Sequence, residues 1–255
     1  PAGKLEYLRN DAAQTRVHDV TTSEASVTLR YAPGESFVNS KQRRVPVSLD
    51  APIFTLTHAM GFKGVLGGEY NFNRTEASIW KRFWLPASWG KIDCSVKAGA
   101  EWNVVPFPLL ILPEANLSYI TQRETFNLIN NMEFLNDRFA SVSLSYDMNG
   151  KLFNRIPLIK NLKWREMFRV RALWGTLTDK NNPFKSSNPD LFRFPMRDGK
   201  FTSFVMDPKI PYVEASVGIY NIFKLLHIEY VHRFTYRDNP GINKNGVRFM
   251  VLMAF

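Results

Sequence analysis

Six charged residues in the second half of the chain, Arg165, Arg169, Arg171, Glu214, Glu229 and Arg233, have the types and spacing to form an ion-pair network. Arg165, Arg169 and Arg171 share the parity of one strand, Glu214 belongs to the next run, and Glu229 and Arg233 to the one after, so pairing of adjacent strands brings them within reach. The chemistry such a set supplies is electrostatic: bracing a wall first, selecting a solute second. Glu166 has the opposite parity from its arginine neighbours, which puts it at a strand end or beside a bulge. Ser216, His227 and Glu214 are the set a serine hydrolase could draw on, yet hairpin strands line up polar residues on one face as a matter of course. No catalytic residue is expected. His18, His58, His227 and His232 are too scattered for metal-ligand spacing, so neither a metal nor another cofactor is expected. Cys94, the lone cysteine, sits in an alternating run and reads as a small apolar residue.

The elements that would carry these side chains announce themselves by a period of two. Ala25, Val27, Leu29 and Tyr31 alternate with polar residues, as do Ile92, Cys94, Val96, Ala98, Ala100 and Trp102. The same holds for Ala140 to Met148, Phe168 to Trp174, Val213 to Ile219 and Leu226 to Tyr236. Ile53 to Phe62, Glu69 to Leu85 and Asn116 to Thr121 are weaker runs. Helical periodicity over three turns appears nowhere, so the chain reads as all-β, with roughly ten to twelve strands. The last run places Val247, Phe249, Val251, Met253 and Phe255 on one side of a strand that ends in an aromatic residue. Lipid can cover such a face; that ending suits the closing strand of an outer-membrane barrel, by which assembly machinery would take hold of it.

Composition agrees without deciding. Hydrophobic residues make up 45% of the 255, and mean hydropathy is -0.23, values that a soluble domain and a barrel with alternating faces share. The longest apolar run, Val104 to Leu112, is interrupted by Pro106 and Pro108 and falls far short of the ~20 residues of a spanning helix. Pro1 opens the chain without a charged and apolar leader, so an export signal is expected to be removed or to lie upstream. Asp147 to Gly150, Asn239 to Gly241 and Asn245-Gly246 are turn sequences. Glu35 to Arg44 and Thr178 to Lys209 read as loops at a barrel rim, the second long enough to fold over or into the lumen. Trp80, Phe83, Trp84 and Trp89, and again Tyr230, Phe234 and Tyr236, are placed as interfacial girdles. The net charge of +10 lacks the basic stripe with stacking aromatics that nucleic acid requires. Lys41, Arg43, Arg44, Lys180, Lys185 and Arg197 either face anionic headgroups from loops, the preferred reading, or give the lumen an anion preference.

Phe126 to Phe139 and Phe153 to Glu166, with Val105 to Leu110, Pro211 to Glu214, Val217 to Lys224, Arg16 to Asp19, Leu29 to Pro33 and the last strand, carry a family resemblance. The chain resembles an uncharacterised outer-membrane family in which a carboxypeptidase-regulatory-like, immunoglobulin-type domain precedes a C-terminal β-barrel. The resemblance implies that this is the C-terminal part of a longer protein, without that domain and the first barrel strands. That family is distantly similar to the BamA and surface-antigen superfamily, whose barrels insert or translocate proteins. The Arg-Gly-Phe/Tyr loop signature of that superfamily is absent, since no Arg here precedes Gly. The expectation is therefore an integral, non-enzymatic protein of the bacterial outer membrane. It would act in outer-membrane assembly or protein or lipid translocation, with a solute pore and a structural accessory subunit as rivals. Its expected partners are outer-membrane lipid and lipopolysaccharide, the barrel-assembly machinery and other outer-membrane proteins.

Overall fold

β-branched and aromatic residues alternating with small polar ones favour a pleated chain, and nine such runs pair into one antiparallel sheet. The computed structural model describes residues 6–39, 44–48, 50–122, 124–197 and 199–251. In chain order the strands of the large sheet are β1 (Glu24–Tyr31), β2 (Ile53–Gly61), β3 (Phe72–Trp84), β4 (Lys91–Glu101), β5 (Arg138–Asp147), β6 (Arg165–Thr176), β7 (Tyr212–Ile222), β8 (Leu226–Arg233) and β9 (Asn245–Val251). Each pairs with its sequence neighbours, so the sheet is a simple meander from β1 to β9. Among the described residues β1 and β9 do not pair with each other, and no helix is long and apolar enough to cross a membrane.

Among the described residues nine strands form the large sheet, where ten to twelve strands were expected. The remaining strands are two- and three-residue pieces in three small ribbons: Tyr7–Leu8 with Arg16–Val17, Phe37–Asn39 with Arg44–Pro46, and Met196–Arg197 with Lys200–Phe201. Asn116 to Thr121 forms no regular strand; around it Ala115 and Ile120 make isolated bridges to Phe126 and Phe249. Asn245 and Gly246 are not a turn either, since they open β9 opposite His232 and Val231. Met253 and Phe255 lie outside the described residues.

Register fixes which residues share a face. One cross-strand row reads Tyr31, Phe54, Ile79, Val96, Val142, Ala172 and Val213. The row next to it in parity reads Trp80, Ser95, Ser143, Arg171, Glu214 and Arg233. Burial runs opposite to that of a soluble sandwich. On β6, Val170 is 46% exposed while Arg171 is 2% exposed. Val217, Tyr230, Val247, Phe249 and Val251 are exposed on the same side as Val170.

The connections sort by end. Residues 85–90 and 223–225 are tight turns at one rim, and the 32–52 and 148–164 connections lie at that rim too. Residues 102–137 and 177–211 emerge at the other, the loop rim. Glu35 to Arg44 and Thr178 to Lys209 are therefore at opposite ends of the strands. The apolar cores lie at the loop rim. One joins Phe72 to Val105, Phe107, Leu110, Leu135, Phe192 and Phe194; the other joins Leu173 and Tyr212 to Phe126, Ile129, Phe134 and Met206.

Candidate functional site: a plugged concave face

The inner face of the sheet surrounds a cavity of about 900 Å³ whose lining runs from Ile53 and Thr55 on β2 to His227 on β8 and Met250 on β9. One cavity lined from second strand to last means that the sheet curls around it. Residues 102–137 enter this concavity from the loop rim and form its ceiling with Ile111, Leu112, Glu114, Thr121, Glu124 and Phe126. Glycine makes room for the approach: a Cβ on Gly175 of β6 would lie 2.2 Å from Asn136 Oδ1.

Cationic side chains of the wall hold this plug. Arg233 donates to Glu133 at 2.6 Å and 3.1 Å and to the Leu128 carbonyl at 3.2 Å. Arg171 reaches Glu214 at 3.2 Å and the Gln122 carbonyl at 3.1 Å, and Arg74 reaches the Leu109 carbonyl at 2.5 Å. Lys97 lies between Glu114 at 3.2 Å and Glu124 at 2.8 Å. Arg248 of β9 donates to the Asn127 carbonyl. Glu214 also accepts the Asn127 N–H at 2.9 Å, the Leu128 N–H at 3.1 Å and the Tyr212 hydroxyl at 2.9 Å. A buried carboxylate that accepts from that many donors fixes the backbone that supplies them.

Arg169 and Arg171 lie buried on the parity the sequence gives them, whereas Arg165, expected on the same side, is exposed. Arg169 pairs with Glu229 at 2.9 Å. Arg171, Glu214 and Arg233 follow one another across three strands, while Arg165 is apart from them, exposed at the start of β6 with its guanidinium 6.0 Å from the Tyr220 ring. Glu133, Glu114 and Glu124, the plug carboxylates, were missed. A signal for them existed: residues 102–137 hold Glu114, Glu124, Glu133 and Asp137 against the single base Arg123.

Ser216, His227 and Glu214 do not assemble. Ser216 donates to Glu229, and His227 Nε2 lies 3.4 Å from Glu229 as well, so the carboxylate stands between hydroxyl and imidazole. A nucleophilic serine needs the imidazole as its immediate base. Of the aromatic girdle residues, Phe83, Trp84, Trp89, Tyr230 and Phe234 are exposed, but Trp80 lines the cavity. Tyr236 is half-buried at the loop rim, packed on Phe134 with its hydroxyl donating to the Ile210 carbonyl at 2.7 Å. The basic loop residues divide: Arg44 stacks on Phe37, Lys180 donates to the Trp102 carbonyl, Lys185 pairs with Asp179, and Lys41 and Arg43 lie outside the described residues.

At the outer edge of β9 the plug meets the wall backbone to backbone. Thr121 N–H donates to the Phe249 carbonyl at 2.8 Å, and Phe249 N–H donates to the Tyr119 carbonyl at 2.9 Å, a two-bond parallel strap. Leu117, Tyr119 and Ile120 are exposed beside it. A family model described as the C-terminal domain of a family of unknown function (DUF5686) matches residues 6–184, more than half of the chain. The chain belongs to this DUF5686 family. The match takes in the plug and β1 to β6, so the segment that fills the concave face is part of what defines the domain. Comparison with curated proteins finds no match.

Proposed function

We propose that this DUF5686 domain is an integral outer-membrane protein whose curled sheet is the wall of a β-barrel, and that it works in outer-membrane assembly or in moving protein or lipid into or across that membrane. Three features support the membrane. The outward face is apolar and exposed strand after strand, the inward face is polar and charged, and β3 to β7 run from 10 to 13 residues against the ~9–11 a tilted spanning strand needs. In that setting the tight turns face the periplasm and the loop rim faces outward.

The observation that carries the assembly reading is the strap on β9. An open strand edge is a template for another strand, and among the described residues two hydrogen bonds from the plug hold the β9 edge in place of a full partner strand. A client strand or lipid could replace Tyr119–Thr121 without breaking the ladder of the sheet. The distant likeness of the last strands to the BamA and surface-antigen barrels fits this use. A solute pore fits less well. The plug closes the loop rim, and the cavity lining balances Arg82, Lys91, Lys97, Arg169 and Arg171 against Glu76, Asp93, Glu114, Glu124 and Asp147, leaving no anion preference.

Planar-bilayer recording on the full-length protein separates the two. The assembly reading expects a silent baseline that opens only when the plug is loosened; a steady, anion-selective current from the unaltered protein would contradict it. Depletion in cells, with outer-membrane protein and lipid profiles as readout, then distinguishes an assembly role from a passive scaffold.

A further inference from the structure

A two-residue turn suffices to join antiparallel strands, yet residues 148–164 intervene between β5 and β6. They include a single 3-10 turn, Phe153–Arg155, and one helical turn, Pro157–Lys160. This excursion has a side. Glu166, on the outward parity of the wall, and Asn221, in the irregularity that shifts the register at the end of β7, are turned to its backbone: Glu166 accepts the Leu152 N–H at 2.6 Å, and Asn221 donates to the Lys163 carbonyl at 2.7 Å. Glu166, which would otherwise face lipid, is thereby covered, and the excursion is seated against the outside of the turn rim.

Its composition is one-sided. Lys151, Arg155, Lys160, Lys163 and Arg165 occur between Asp147 and Glu166 with no acidic residue among them. Leu158 is 84% exposed, and Phe223, in the neighbouring turn beside Lys224, is 80% exposed. Bases flanking projecting apolar side chains, on the rim of an apolar wall, are the composition of a segment that lies in a membrane interface.

We infer that residues 148–164 and 223–225 form a foot that seats on anionic phospholipid headgroups at the turn rim, with Leu158 and Phe223 dipping below the headgroups and Arg155, Lys160 and Lys163 on the phosphates. The inference rests on the outer-membrane reading above. Its test uses the full-length protein carrying Cys94→Ser and Leu158→Cys, labelled at the new thiol with an environment-sensitive fluorophore. The protein is reconstituted in phosphatidylcholine vesicles with or without phosphatidylglycerol, and insertion is scored separately by protease protection. The foot predicts blue-shifted emission and quenching by brominated lipid. It also predicts a preference for brominated phosphatidylglycerol over phosphatidylcholine of about fivefold per engaged base. Arg155→Gln, Lys160→Gln and Lys163→Gln together should abolish that preference while insertion persists. An inserted protein whose label is quenched by aqueous iodide and untouched by brominated lipid overturns the foot and leaves the membrane reading standing. A preference unchanged in the triple variant overturns the assignment of the bases. Failure to insert into either vesicle overturns both readings.

Discussion

The two faces of β6 differ in the sense opposite to the inside and outside of a protein in water. Phe168, Val170 and Trp174 are exposed, whereas Arg169, Arg171 and Leu173 on the alternate positions are buried. Burying guanidinium groups while leaving aromatic rings outside is costly in water, because both exposed apolar area and desolvated charge oppose folding. It becomes favourable when the outer medium is hydrocarbon and the inner charges meet carboxylates, as Arg171 meets Glu214 and Arg233 meets Glu133. The lesson is that the plug is a structural counter-ion as much as a stopper. Five wall cations, Arg74, Lys97, Arg171, Arg233 and Arg248, find acceptors on it.

The sharpest way to break the comparison is on the inner face. Glu133→Ala leaves the buried Arg233 guanidinium with backbone carbonyls but without its carboxylate counter-charge, and Glu214→Ala removes the acceptor for two plug N–H groups and for Arg171. Each should lower stability by about 3–5 kcal/mol, read by denaturant unfolding of the reconstituted protein. Next comes the outer face. Val170→Arg puts a charge in the middle of the exposed apolar row and, on the outer-membrane proposal, should cost about 2–4 kcal/mol in bilayers, whereas Thr55→Arg, into the cavity, should cost about 1 kcal/mol or less. Equal penalties would mean that the two faces meet the same solvent.

Much of the wall was legible because a strand has a strict period of two, and a one-residue slip would invert every face. Thus Val170 and Arg169 could be assigned to opposite sides from sequence alone, and the parity of Glu166 correctly singled it out from its neighbours. The plug was not legible, for a physical reason. Val105, Phe107, Leu110, Phe126, Ile129 and Phe134 are buried by irregular chain with no period to detect. Glu133 lies 100 residues from its partner Arg233, and nothing local marks the pair. Strand count erred at Asn116 to Thr121, where alternation over a few residues accompanies only isolated bridges. Trp80 lines the cavity and Tyr236 packs on the loop-rim core, because aromatic type alone cannot say which face of a strand or loop a ring takes.

Smaller changes sharpen the edge between the faces. Thr121→Pro deletes the N–H that the Phe249 carbonyl accepts, and should cost about 1 kcal/mol globally. Amide exchange along β9 should quicken, with transient openings in bilayer recordings; an unchanged exchange pattern would show that the strap does not hold the edge. Smallest of all, Arg9→Gln removes a 3.5 Å contact to exposed Asp190 and should shift the unfolding midpoint by less than about 1 kcal/mol equivalent.

Everything proposed depends on hydrocarbon bathing the row that contains Val170, and one accessibility measurement tests that directly. Nitroxide labels are placed singly at Val170, Val217 and Phe249 on the outer face, and at Ser95 and Ser143 on the inner, in the vesicle-reconstituted protein with Cys94→Ser. The account predicts that the first three relax with oxygen and ignore a water-soluble nickel chelate, while the other two show the reverse or contact neither. Outer labels that respond to the chelate as strongly as any loop position would contradict it.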